Sequence, residues 1–326
     1  MPDANNSCLD HNALRSASGL RGSVRLRLWY VFGLTWCVCE LRLTVPSAQT
    51  CTKDIKITEP TPVINCDVVD ADITVDSTVA GSLVLDGPEE IKGNLVITNV
   101  TGLLGLTSNT IASIDGTFTL DNCESLNTIQ MDSLRSIKEL KMNRLTQLRS
   151  LVFGTEGVTK GSVVSISDTH LDSLTGLKLA TVESININNN DRLTTFDSDL
   201  VNITSELIIN NNGDKFEISM PKLESAAEIQ IANSRAFKVP LLETVSKSLK
   251  LDQNPEMQSF VAPNLTKVEG TVSFINNEAL SNVSLPELKE IVGGLTIIND
   301  TKLIDIDGFP KLEIVGSILL GGNFET

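Results

Sequence analysis

Apolar residues in this chain come in pairs of the form Φ-x-Φ at a nearly constant interval. The series opens at Ile73-x-Val75, Leu95-x-Ile97, Phe118-x-Leu120 and Leu140-x-Met142. It continues through Val164-x-Ile166, Ile185-x-Ile187, Leu207-x-Ile209, Ile229-x-Ile231 and Leu249-x-Leu251, and ends at Val272-x-Phe274, Leu295-x-Ile297 and Ile318-x-Leu320. Successive spacings, counted from first member to first member, are 22, 23, 22, 24, 21, 22, 22, 20, 23, 23 and 23. Alternation inside each pair has the period of a strand. The polar positions between pairs are rich in Thr, Ser and Asn, which compete with helical backbone bonding.

Other residues hold the same phase. Gly93, Gly116, Gly270, Gly293 and Gly316 fall two places before their pairs, where a tight turn into the strand or a positive φ suits glycine. Pro221-Lys-Leu223, Pro240-Leu-Leu242, Pro263-Asn-Leu265, Pro286-Glu-Leu288 and Pro310-Lys-Leu312 mark five consecutive repeats, each followed three places later by Ala226, Val245, Val268, Ile291 or Val315. A second apolar pair lies between strand and proline: Leu193/Phe196, Met257/Phe260, Leu280/Val283 and Leu303/Ile306. Proline at this frequency excludes a long helix there. A leucine-rich horseshoe would show a stricter LxxLxLxxN signature. The pattern predicts an all-β, right-handed parallel β-helix over residues 71–326, with three short strands in each coil of about 22 residues. No single coil buries its own apolar side chains, but stacking at ~4.8 Å does so, and twelve pairs make a rod on the order of 55 Å long.

Asparagine recurs where each strand ends. Asn188–Asn190 and Asn210–Asn212 are triplets one repeat apart, and Asn99, Asn122, Asn233, Asn276 and Asn299 stand four places after their strand starts. Asparagine tolerates left-handed φ, and its amide can bond to an amide one coil away. Asn189, Asn211, Asn233 and Asn276 are accordingly read as a structural ladder.

Residues 1–48 differ in character. Arg15, Arg21, Arg25 and Arg27 precede an apolar run, Leu28–Cys39, which is followed by small residues at Ser47-Ala48. This is the layout of a secretory signal cleaved near Ala48. Glu40 and Arg42 make the run too short to span a bilayer. Beyond it the chain has 21 Lys+Arg and 38 Asp+Glu, the totals of 26 and 41 less five and three, or a net charge of −17. Such a surface repels nucleic acid. Three cysteines remain: Cys51 and Cys66, which enclose a short loop and are read as a disulfide within an N-terminal cap at 49–70, and Cys123, read as a buried free thiol. Sequons at Asn99, Asn202, Asn264, Asn282 and Asn299 predict N-glycosylation.

Little in the chain predicts chemistry. Asp168, Asp191, Asp214 and Asp300 follow strands at offsets of 4, 6, 7 and 5, which argues against a convergent pair for acid–base hydrolysis. His170, in Ser167-Asp168-Thr169-His170, is too close in sequence to its neighbours to build a triad. No metal-ligand spacing or cofactor fingerprint is present, so catalytic, metal and cofactor residues are all predicted absent. Trp and Tyr, the usual plates for sugar rings, are confined to Trp29, Tyr30 and Trp36. Polar ladders of Asn, Asp and Thr remain as a weaker route to glycan.

GVTKGSVVSISDTHLDSL (Gly157–Leu174), SININNND (Ser184–Asp191), APNLTKVEGT (Ala262–Thr271) and IDGFPKLEIVG (Ile306–Gly316) resemble the fungal GPI-anchored cell-wall organisation proteins, relatives of a sporulation-specific wall protein built from receptor L-domain-like repeats. The likeness runs from Cys51 to the end, with Cys51 and Cys66 as the opening cysteine pair. It implies a secreted, glycosylated, non-enzymatic protein at the cell surface or in the wall that supports wall integrity, with wall polysaccharide or surface proteins as partners. It also suggests two lobes meeting near 154–161. Such proteins continue into a Ser/Thr-rich stalk and an apolar anchoring tail, whereas this sequence stops at Gly321–Thr326, so membrane contact through a lipid anchor is not predicted for the chain as given. Cys123 is a further departure from the expected pattern. The competing readings are an adhesion or recognition module and a polysaccharide-degrading β-helix enzyme.

Overall fold

The structure, a computed structural model, describes residues 24–32, 35–43 and 48–325. Two compact units result, Met1–Ala48 and Gln49–Thr326. In the first, Val24–Phe32 pairs antiparallel with Thr35–Leu43; the rest of the candidate leader lies outside the described residues. The second is a parallel β-solenoid with no helix among its described residues. No helix of the described chain is long and apolar enough to cross a membrane.

Every Φ-x-Φ pair stacks in register on its neighbours. Ile73 and Val75 lie over Leu95 and Ile97, these over Phe118 and Leu120, and so on to Leu295 and Ile297 over Ile318 and Leu320. One more rung precedes the series: Ile55–Ile57 pairs with Ile73–Val75, which places the first coil inside the segment read as a cap. Twelve pairings thus link thirteen strands into one sheet that runs without interruption past residues 154–161. A second column on the same sheet contains Val69, Ile91, Ile114, Ile137, Val182, Ile203, Ala226, Val245, Val268, Ile291 and Val315, including all the apolar residues that follow the prolines. The third side of the coil is shorter and interrupted: a four-stranded group from Gly81–Val84 to Leu151–Val152, then Thr195–Asp197 with Glu217–Ser219 and Ala236–Lys238, then Ser259–Val261 with Asn282–Ser284.

Local chemistry explains the turns. Leu223 N–H donates to Met220 C=O at 3.2 Å, and Leu242, Leu265, Leu288 and Leu312 donate in the same way to Val239, Ala262, Leu285 and Phe309. In each case proline is the second residue of a four-residue turn, the position its fixed φ favours. The glycines before the strands have another cause. Gly93, Gly116, Gly270, Gly293 and Gly316 do not have positive φ. A Cβ at Gly270 would come within 2.6 Å of Lys247 O, and one at Gly293 within 2.6 Å of Gly270 O; at Gly93, Gly116 and Gly316 it would overlap the carbonyl of Ala71, Gly93 and Gly293. Close stacking of coil on coil, rather than backbone conformation, therefore requires glycine there.

The interior is predominantly apolar. Leu193, Phe196, Met257, Phe260, Leu280, Val283 and Leu303 from the third side are buried against the main columns. Phe260 stacks on Phe237 with ring centroids 6.0 Å apart and meets Phe274 at 5.9 Å. Ile306 departs from the pattern at 41% exposure, because no strand among the described residues packs over it on that side.

Candidate recognition face and corner ladder

The x positions of the pairs point outward and form one flat face. Thr119, Ser165, Asn186, Gln230 and Lys250 are half-buried there, flanked by Asp121, Asn143, Ser167, Asn188, Asn210 and Asp252. Neighbouring side chains are already bonded to one another. Asn143 Nδ2 donates to Asp121 Oδ1 at 2.8 Å, Ser167 Oγ to Asn143 Oδ1 at 2.8 Å, and Ser273 Oγ to Asp252 Oδ1 at 2.8 Å. Three carboxylates on this face have partners as well: Glu139 accepts from Lys141 at 2.8 Å, Glu206 from Ser184 at 3.3 Å, and Glu228 from Gln230 at 2.6 Å. The Lys141 ammonium holds Glu139 below the ordinary carboxylate range, and the Gln230 amide, backed by Lys250, does so for Glu228. Side chains fixed in this way lose little entropy on contact with an extended polar partner. Two shallow hollows of about 530 and 380 Å³ meet at Gly161 and Ser162, beside Asp115, Lys138 and Glu183.

One edge of the face is a corner with left-handed backbone in ten successive coils. Asn99, Asn122, Arg144, Asp168, Asn189, Asn211, Asn233, Gln253, Asn276 and Asn299 all have φ between 49° and 60°. Asn189, Asn211, Asn233 and Asn276 therefore supply the conformation, and their side chains are exposed. Amide-to-amide bonds in this outer column join Asn122 to Asn99 at 2.8 Å and Asn299 to Asn276 at 3.0 Å.

The more extensive ladder is displaced by one residue. Left-handed φ turns the next side chain inward, so Thr169, Asn190, Ser234, Asn254, Asn277 and Asp300 are buried, with Asn212 half-buried. Asn254 Oδ1 accepts from Ser234 N at 2.9 Å, while its Nδ2 donates to Ile231 O at 3.0 Å and to Asn277 Oδ1 at 3.1 Å. Asn277 Nδ2 donates to Leu251 O at 2.8 Å, and Asn190 and Asn212 repeat the pattern with Ile166 O and Ile187 O. Each amide satisfies backbone groups that the corner leaves unpaired. Cys123 occupies the same position, buried and reduced, with Sγ 3.6 Å from Ile97 O; burial pushes its thiol up. A polar residue five places after the strand start, unbroken from Thr169 to Asp300 but replaced by Val100 and Leu145 in earlier coils, is the sequence signal for this inner column.

The remaining predicted residues are scattered. Cys51 and Cys66 form a disulfide with Cα atoms 5.9 Å apart, beside the Ile55–Ile57 rung. Asn99, Asn264, Asn282 and Asn299 are exposed, whereas Asn202 is half-buried and its Oδ1 accepts from Ser225 Oγ at 2.6 Å. Asp168, Asp191 and Asp214 are exposed and Asp300 is buried, so they share no environment. His170 Nε2 lies 3.6 Å from Asp191 Oδ1 at the surface, beyond hydrogen-bond distance. Among the described residues no three His, Cys, Asp or Glu side chains gather as a metal site.

No protein-family model matches the chain, and no solved structure matches it. Curated proteins do. The cell surface GPI-anchored protein ECM33 of Candida albicans is 30% identical over 203 residues, covering 60% of this chain and 49% of that protein. Protein ecm33 of Aspergillus fumigatus is 31% identical over 57% of this chain and 46% of its own length. Sporulation-specific protein 22 of Saccharomyces cerevisiae is 27% identical over 67% and 48%. The chain spans about half the length of the curated relatives it matches. In sequence the chain is thus similar to fungal proteins named for the cell surface and the cell wall.

Proposed function

We propose that the chain is a non-enzymatic, N-glycosylated protein of the fungal cell surface or wall, supporting wall organisation as a stiff spacer that holds wall polysaccharide or surface proteins against its flat face. The observation that carries this reading is the thirteen-strand parallel ladder, whose outward side chains are mostly polar, several of them already bonded to one another. Homology to proteins named for the cell surface and cell wall supports the location. The five sequons support glycosylation; none lies on the x column, while Asn99 and Asn299 stand at the corner that edges the face.

A direct test is retention of the secreted chain on insoluble wall preparations. Asn186→Arg and Gln230→Arg place bulk on the flat face while leaving the buried columns intact, and retention should fall. Equal retention by the variants would remove the flat face from the proposal. Release of reducing sugar from β-glucan, chitin or polygalacturonate by the purified chain would overturn the non-enzymatic part. The second reading, an adhesion or recognition module, is favoured by the hollows at Gly161–Ser162. Saturable binding to one defined glycan or surface protein, lost in Ser162→Arg, would promote it.

A further inference from the structure

Asp300 is the one acid in the inner corner ladder. It is 1% exposed, and its Oδ1 accepts from Asn277 N at 2.7 Å, just as Asn277 Oδ1 accepts from Asn254 N at 2.9 Å. In Asn254 and Asn277 the other terminal atom is Nδ2, which donates to a carbonyl in the coil below, Ile231 O or Leu251 O. In Asp300 that atom is Oδ2, which is buried and has no hydrogen-bond partner. By the same register it corresponds to the site of a donor toward Phe274 O. An ionised carboxylate has no proton to give there, whereas a protonated one does.

We propose that Asp300 is a proton-dependent latch in the corner ladder: as the neutral acid it donates to the coil below like its asparagine counterparts, and on ionisation it loosens the coils from Val272 onward. Its surroundings fit a neutral group. Asn277 contributes no charge, Glu278 on the coil below and Lys302 beyond the turn are exposed, and the coil above presents Gly321, Gly322 and Asn323. Among the described residues the field of Asp252 acts on Asp300 and disfavours a second negative charge. Burial, with that field in support, outweighs the Asn277 hydrogen bonds that favour the ionised form and raises Asp300 from 3.8 to about 6. A carboxyl raised on folding binds more protons folded than unfolded. Its stabilisation is therefore complete below the ordinary carboxylate pKa and is lost as pH rises from there through about 6. The difference between 3.8 and about 6 corresponds to about a hundredfold change in the local opening equilibrium. Solenoid coils contact only their neighbours, so the change stays local.

The test is amide hydrogen exchange on the full chain across pH 4 to 7.5, corrected for intrinsic exchange, comparing wild type with Asp300→Asn and Asp252→Asn. Opening of residues 272–325 in wild type should rise by up to about a hundredfold relative to residues 95–190. Asp300→Asn should flatten that rise and protect the coils at neutral pH, and Asp252→Asn should retain it. A flat wild-type profile, an unchanged rise in Asp300→Asn, or a rise abolished by Asp252→Asn alone would each overturn the proposal. The wild-type series stands as a test even if a variant fails to fold.

Discussion

Replacing Asn254 by leucine isolates the contribution of the inner ladder. The side chain is fully buried and makes four bonds: Oδ1 accepts from Ser234 N at 2.9 Å, and Nδ2 donates to Ile231 O at 3.0 Å, Asp252 O at 3.2 Å and Asn277 Oδ1 at 3.1 Å. Leucine is no smaller, so no cavity opens. The Ser234 N–H, in a residue only 1% exposed, is left without an acceptor, and two carbonyls lose a donor. An unsatisfied buried backbone group costs about 1–3 kcal/mol; the carbonyls lose less, and the added apolar burial offsets part, leaving about 2–4 kcal/mol. The Ser234 amide is itself the reporter. At about 1.4 kcal/mol per decade, its exchange protection should fall roughly 30- to 1,000-fold. Asn233→Ala, at the exposed left-handed corner, leaves those bonds in place and should cost about 1–2 kcal/mol through backbone strain, without singling out Ser234. A Ser234 amide in Asn254→Leu still within about threefold of wild type would refute the view that the amides hold the corner together.

Three further outcomes follow from the packing. Gly293→Ala should destabilise by about 1–3 kcal/mol, since its Cβ would lie 2.6 Å from Gly270 O and the coils must part; proteolytic susceptibility near 290–298 reports it. Phe260→Ala, which removes a ring between Phe237 and Phe274, should cost about 3–5 kcal/mol and show as a lower denaturant midpoint. Cys66→Ser opens a loop closed over a separation of 15, worth about 3 kcal/mol, and should fray the Ile55–Ile57 rung while coils beyond Leu95 keep their exchange protection.

Ile55-x-Ile57 shows why part of the fold was hidden from the pattern. Its step to Ile73 is shorter than the step from Ile73 to Leu95, because the disulfide-bearing segment closes that first coil by a more direct path. Ile306 shows the opposite failure: it has the phase of a core residue, yet burial needs a neighbouring strand on the same side. The candidate face was legible only as alternation, since which outward side chains bond to each other depends on coil-to-coil register.

The local code, by itself, determined the stacking period and the inward phase of the Φ-x-Φ pairs from Ile73-x-Val75 to Leu295-x-Ile297, because alternation and proline-marked turns act over a few residues, whereas Ile318 and Leu320 in the last described coil are exposed. Tertiary structure decided which asparagine of each cluster is buried. One residue in left-handed φ reverses the direction of the next side chain, and only the coils above and below supply the carbonyls and amides that make an inward amide favourable. The same holds for the glycines: their constraint is a carbonyl one full coil away, as Gly270 O is for Gly293, and no local window of sequence contains both.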